Sequence, residues 1–362
     1  MNKVLFVINQ GVYPYRVGGM EVFNYHLIKS LSEKEEDIAY MASVPFDFDG
    51  ARHIRSCSLR PTKLFTPLWV LIYLLFHPEY KTVVFSFSEA HWLVWRIYAS
   101  AIQLLRLKAA VVIHYGKEVP SDHSNVYKKF FQSADTVVAV SNDIKKNYDA
   151  KFGLNCKVIY PLVPFKVSLE TSARYRELYD IPQDVRVISM VGSLKQMKNP
   201  QRILEALSLF TVEELESFKP FVVFAGGGIM MPELMQIVKD NDLAGKVRFL
   251  GIVPNDKIGE IMKMSDLYLI ASDFEGTSVS LLEAMYNSKP IIASDVPGLK
   301  DMITNGVNGL LYDVKSSEEL KMCLIELLSD MDKSQRLGIA ARASYEEKYS
   351  YEKMLNDYKS IL

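Results

Sequence analysis

Two glutamates eight positions apart bracket a polar turn in Asp273-Phe274-Glu275-Gly276-Thr277-Ser278-Val279-Ser280-Leu281-Leu282-Glu283-Ala284-Met285. Residues 267–271 before the turn read as a buried strand, and Ser278 reads as the N-cap of a helix. A helix opening there aims unsatisfied backbone N–H groups of Gly276, Thr277 and Ser278 at the mouth of a crevice, which makes an anion site large enough for a diphosphate. Glu275 precedes the helix and Glu283 lies in its second turn, at most about 12 Å further along the axis. That span suits a sugar at one end and a ribose at the other. A carboxylate accepts from two vicinal hydroxyls at once, so each glutamate is suited to a diol. Spacing alone favours two solvated acids; the surrounding segments reverse that reading.

Three further strand ends carry chemistry. In Met190-Val191-Gly192-Ser193-Leu194-Lys195-Gln196-Met197-Lys198-Asn199-Pro200 a glycine turn is followed by cations, the composition of a loop that neutralises phosphate charge. Phe221-Val222-Val223-Phe224-Ala225-Gly226-Gly227-Gly228 invites a dinucleotide reading, but it lacks the third fingerprint glycine and an acidic residue closing a βαβ unit. In Tyr15-Arg16-Val17-Gly18-Gly19-Met20-Glu21 the paired glycines let backbone approach a ligand closely, with Arg16 beside them. His114 ends a strand at the carboxyl edge of a parallel sheet, where ligands bind in such folds. Asp122 and His123 follow it, on the side expected for an acceptor. His26, His53 and His77 are not spaced to hold a metal together, and no strand-end loop has a DxD arrangement, so no metal is expected.

These loops need rigid elements behind them. Short β-branched runs alternate with amphipathic stretches along the whole chain, the pattern of βα units feeding parallel sheets. Strands are expected at residues 4–8, 38–43, 82–87, 110–114 and 136–141, then at 185–191, 221–225, 247–250, 267–271, 290–293 and 309–312. The expected fold class is α/β, with two doubly wound Rossmann-like domains facing across a cleft. With 362 residues the chain is too long for one ordinary core. Pro161, Pro164 and a polar run mark a linker over residues 160–172. The expected division is 1–165, 166–345, and a final helix over 346–362.

Charge sharpens that division. Lys and Arg number 42 against 43 Asp and Glu, so the chain lacks the excess of a nucleic-acid binder. Residues 1–165 nevertheless carry 19 basic and 14 acidic side chains, leaving 23 and 29 for the remainder. The excess concentrates in residues 51–110, with eight basic and two acidic side chains and all three tryptophans, Trp69, Trp92 and Trp95. Cations beside tryptophan are the composition of a segment lying on an anionic leaflet, although a core helix with packed tryptophans fits residues 64–76 too. No apolar run approaches the roughly 20 residues needed to span a bilayer. Cys57, Cys156 and Cys323 are few and widely separated, as in a reducing compartment, so a cytoplasmic protein, peripheral on the inner membrane face, is expected.

The strand, turn and helix around Glu275 and Glu283 resemble the glutamate-x7-glutamate element of family 4 retaining nucleotide-sugar glycosyltransferases, which have the two-domain GT-B fold. Lys289-Pro290-Ile291-Ile292-Ala293-Ser294-Asp295-Val296-Pro297-Gly298 and Asn305-Gly306-Val307-Asn308-Gly309-Leu310-Leu311 are similar to that family as well. The resemblance implies that Glu283 binds the donor ribose, while Glu275 contacts the sugar near its reacting carbon. Gly276, Thr277 and Ser278 would meet phosphates and sugar, and Lys198 the diphosphate. The family's arginine falls at Ser193, a departure that leaves Lys195 as a substitute. Gly18, Gly19 and Gly192 would approach the donor phosphates, Gly226 and Ile252 would line the nucleotide cleft, and His114 would touch the donor sugar. The donor would sit in the second domain and the acceptor in the first, onto which the last helix would pack. The implied reaction moves a sugar from a UDP- or GDP-linked donor to a saccharide or lipid-linked saccharide of a bacterial surface polysaccharide (capsule, O-antigen, lipopolysaccharide or exopolysaccharide), without a metal. A sugar-nucleotide 2-epimerase and a non-catalytic nucleotide-sugar binding protein are the alternatives.

Overall fold

The structure, a computed structural model, describes residues 3–8, 19–33, 37–42, 45–56, 65–87, 92–114, 123–165 and 168–362. Arg16, Gly18, Cys57 and Asp122 lie outside the described residues, and Gly19 is described only as the first backbone position of a helix. The chain divides into two compact units, Met1–Pro164 with Tyr351–Leu362, and Phe165–Ser350.

In the first unit seven parallel strands, β1 (Lys3–Ile8), β2 (Ile38–Ala42), β3 (Arg52–Arg55), β4 (Tyr80–Phe87), β5 (Lys108–Ile113), β6 (Thr136–Ala139) and β7 (Lys157–Val158), are ordered β3-β2-β1-β4-β5-β6-β7. The central strands read as continuous apolar runs because helices cover both faces of such a sheet. Phe6, Phe85 and Val111 are fully enclosed. The strand order reverses between β1 and β4, and in such folds ligands bind at the carboxyl ends of the strands beside such a switch point. The final helix Tyr351–Lys359 belongs to this unit: Met354, Leu355 and Tyr358 enter its core, and the Tyr358 hydroxyl donates to the Ile159 carbonyl at 3.1 Å.

The second unit holds six parallel strands, β8 (Arg186–Val191), β9 (Pro220–Ala225), β10 (Val247–Gly251), β11 (Leu267–Ile270), β12 (Ile291–Ser294) and β13 (Leu310–Tyr312), ordered β10-β9-β8-β11-β12-β13. Here the reversal falls between β8 and β11. It sets the loop after β8, carrying Lys198, beside the loop after β11, carrying Glu275.

Sequence periodicity misses β3 and β7. Both are edge strands, one of sequence RHIR and one of two residues; an edge needs no apolar face, and charged side chains there keep it from pairing with other chains. A helix spans Phe65–Phe76, as the helix reading of residues 64–76 expects, and the helices Ser124–Ser133, Val212–Phe218 and Pro297–Lys300 are not expected from the sequence.

Candidate functional site

The second unit's site is built on close backbone approaches at strand ends. Gly226 follows β9 with φ +157°, and a Cβ there would sit 1.8 Å from the Gly192 carbonyl oxygen. Only glycine fits. The Gly192 N–H in turn donates to the Ala225 carbonyl at 3.0 Å and the Leu194 N–H to the Gly227 carbonyl at 2.9 Å, so the loops after β8 and β9 form one surface. Gly226 thus shapes the loop that carries Lys198, while the Ile252 side chain beyond β10 is 80% exposed.

Beyond Gly192 the chain makes a short 3-10 turn, Gln196–Lys198, ending at Asn199 in the left-handed region with φ +48°. The buried Asn199 amide donates to the Asp273 carboxylate at 3.1 Å, and the Asp273 N–H donates to the Met197 carbonyl at 2.9 Å. These bonds tie the two loops together and place the Lys198 ammonium in contact with Glu275 Oε1. Ser272 Oγ donates to that same oxygen at 2.8 Å. Glu275 is buried and Lys198 partly so, and two donors meet this side chain away from water. Lys195 is exposed and held by no ion pair among the described residues.

Ser278 caps the helix Val279–Tyr286, its Oγ accepting from the Leu281 N–H at 3.3 Å. Among the described residues no protein acceptor meets the N–H of Gly276, Val279 or Ser280. The positive end of the helix dipole and these free donors make the turn attractive to a phosphate or an anionic oxygen. Glu283 lies in the second turn, half-buried and without a hydrogen-bond or ion-pair partner among the described residues. Loss of water pushes its pKa up to about 8. Glu275 and Glu283 therefore differ in kind: one is met by a cation and a hydroxyl, the other has no hydrogen-bond or ion-pair partner among the described residues.

Three supporting residues escape a motif reading. Ser272 and Ser294 lie fully buried at the ends of β11 and β12, and Ser294 Oγ donates to the Ser272 carbonyl at 2.6 Å, which fixes the strand end that presents Glu275. Gly298 stands in the helix Pro297–Lys300, and a Cβ there would lie 1.9 Å from the Glu275 carbonyl oxygen. Its place in the Val296-Pro297-Gly298 stretch is visible in the sequence, but the approach is not. Among the described residues no group of three His, Cys, Asp or Glu gathers as metal ligands.

In the first unit His114 follows β5 directly and packs against Phe23 at 4.8 Å between ring centroids. Its Nε2 is shielded from water with no partner among the described residues, and burial lowers the imidazole pKa to about 3. The ring is neutral at physiological pH, so it can hydrogen-bond a hydroxyl but carries no charge to a phosphate. His123 stacks on Trp92 at 4.8 Å between ring centroids.

Residues 172–344 match the family model "Glycosyl transferases group 1", which spans most of the second unit. Over these residues the chain is similar to group 1 glycosyltransferases, its two parallel-sheet α/β domains match the GT-B fold, and the similarity supports a transferase enzyme. Similar proteins include the N-acetyl-alpha-D-glucosaminyl L-malate synthase of Bacillus anthracis, 25% identical over 96% of this chain and 94% of that one. The D-inositol 3-phosphate glycosyltransferase of Corynebacterium urealyticum is 29% identical over 49% of this chain and 42% of its own. Among solved structures, Anabaena HepE in complex with UDP superposes with a TM-score of 0.83 at 18% identity over 99% of both chains, and HepE with UDP-glucose with 0.81. No helix among the described residues is long and apolar enough to cross a membrane.

Proposed function

We propose that the protein is a retaining glycosyltransferase that uses a UDP- or GDP-linked sugar and belongs to the synthesis of a bacterial surface polysaccharide, with a saccharide or lipid-linked saccharide as acceptor. The observation that carries this reading is the pair Glu275 and Glu283 on either side of the free N–H groups of the helix Val279–Tyr286, with Lys198 against the first. Glu283 takes the ribose diol, the turn at Gly276, Thr277 and Ser278 takes the diphosphate, and Glu275 faces the sugar. UDP and UDP-glucose in the HepE structures support a uridine donor.

In the reaction the acceptor oxygen bonds to the anomeric carbon as the bond from that carbon to the diphosphate oxygen breaks. The acceptor proton passes to the departing phosphate on the same face, which preserves the configuration. Charge gathers on the leaving oxygens, where the turn donors and Lys198 stabilise it without a divalent cation. The first unit takes the acceptor. The relatives are named as glycosyltransferases and synthases, which favours transfer over epimerisation or mere binding.

The test is incubation with a panel of nucleotide sugars, following nucleoside diphosphate release with and without polyprenyl-linked saccharides and with EDTA present. Acceptor-stimulated release in EDTA, with an α-linked product from an α-linked donor, is expected. A product of inverted configuration, or interconversion of the sugar nucleotide without an acceptor, overturns the reading.

A further inference from the structure

The helix Phe65–Phe76, of sequence FTPLWVLIYLLF, holds no charged residue. Pro67, Val70 and Leu74 are buried against the first unit. Its other side is just as apolar: Leu68, Trp69, Ile72, Leu75 and Phe76 are exposed, Leu75 by 52% and Phe76 by 78%. At about 100° per residue these five share one stripe roughly 120° wide. A helix apolar all round is ordinarily enclosed by protein, and a contiguous exposed patch of this kind marks a surface that meets another phase.

The charges around it say which. Arg52 on β3 and Glu79 just before β4 both lie close enough to act electrostatically on the hydroxyl of Tyr73 in this helix, and Glu79 is itself paired with His77 at 3.2 Å. The helix Trp92–Leu105 packs alongside and presents an exposed Arg96. Arg55, Lys81, Arg106 and Lys108 are exposed as well, and Glu79 is the one exposed acidic residue described between positions 51 and 110. An apolar stripe in a basic surround is complementary to acyl chains beneath anionic headgroups. A second copy of the chain would bring two basic surrounds together. The stripe, about 18 Å long, also offers far less than the roughly 800 Å² per partner of a stable dimer.

We infer that the helix Phe65–Phe76 lies in the plane of an anionic phospholipid bilayer and inserts Leu68, Trp69, Ile72, Leu75 and Phe76 at the headgroup boundary. The inference narrows the expectation for residues 51–110 to one helix face, and it is independent of the donor and of transfer, so its failure leaves the proposed reaction standing. With 12 residues the helix is too short to span.

The test is co-sedimentation of the full chain with phosphatidylcholine vesicles and with vesicles containing about 30% phosphatidylglycerol. Binding to the anionic vesicles only, weakened at about 0.5 M salt, is expected. Leu75→Glu/Phe76→Glu should lower the affinity roughly tenfold or more. Ile229→Glu, which replaces an 83% exposed side chain of the second unit, should bind as the unaltered protein does. Circular dichroism confirms that both variants are folded, and fluorescence quenching by brominated lipid should be lost in Trp69→Phe. No binding to anionic vesicles, binding that survives the double substitution, or a dimer in solution that the double substitution dissociates would each overturn the inference.

Discussion

Lys198 and Ser272 both donate to one oxygen of Glu275, so a cation from the loop after β8 and a hydroxyl from the end of β11 converge on a single buried carboxylate. The two loops that bear the pair are tied through Asp273, whose N–H donates to the Met197 carbonyl and whose carboxylate accepts from the Asn199 side-chain amide. Removing the lysine strands a carboxylate away from water, which costs more than the pair itself contributes. Lys198→Met is expected to destabilise the protein by about 3 kcal/mol, with the Glu275→Gln/Lys198→Met double variant recovering part of that loss. Urea unfolding of the two single variants and the double variant measures it; additive losses would show that the two residues are not coupled.

Gly298 predicts a steric effect on the same carboxylate. Its backbone φ is not left-handed, so alanine is opposed only by the Glu275 and Gly276 carbonyls that a Cβ would strike. Gly298→Ala is expected to cost about 1–3 kcal/mol of stability and to lower nucleotide-sugar turnover, because the turn bearing Glu275 must move. Gly245→Ala, at a position with open space around it, should do neither. Equal behaviour of the two variants in thermal melts and donor turnover counts against the packing argument.

Much of this is legible in the sequence. Near-continuous apolar runs mark β1, β4, β5, β8 and β9, since a strand buried on both faces has no polar alternative. Glu275, Glu283 and Lys198 stand out because strand ends followed by helix caps have a chemical use. What the sequence hides is the partner. Nothing in the spacing shows that Lys198 and Glu275, 77 positions apart, share a bond, or that Gly298 abuts the Glu275 carbonyl, because such contacts depend on strand order. Tryptophan composition is ambiguous for a similar reason: Trp95 is core, Trp92 carries His123, and Trp69 faces outward.

His114 predicts acid sensitivity. Its pKa falls from 6.5 to about 3 on burial, so between those values the unfolded chain binds a proton that the folded chain refuses. Stability from this group is present above pH 6.5 and is lost as pH falls towards 3. The Tm of the unaltered protein is expected to drop through this window more steeply than that of His114→Gln, whose amide does not titrate. Parallel Tm curves for the two proteins would remove the assignment of a buried neutral imidazole.

Glu283 gives the opposite sign and bears on function. Its pKa rises to about 8, so at neutral pH the folded chain holds a proton that the unfolded chain releases, and stability from this group declines as pH rises from 4.5 through 8. A ribose diol donates two hydrogen bonds and is best met by the ionised form, which has no proton of its own to place. Binding of a nucleoside diphosphate must therefore expel the proton, and affinity should climb between about pH 6 and about pH 9. Glu283→Gln should abolish that dependence and weaken binding roughly tenfold at the alkaline end, the loss of one charge-assisted pair. Isothermal titration with UDP in buffers of different ionisation enthalpy counts the released proton. Affinity of the unaltered protein that stays flat across this range, with no proton released, would mean that Glu283 does not hold the ribose as a carboxylate.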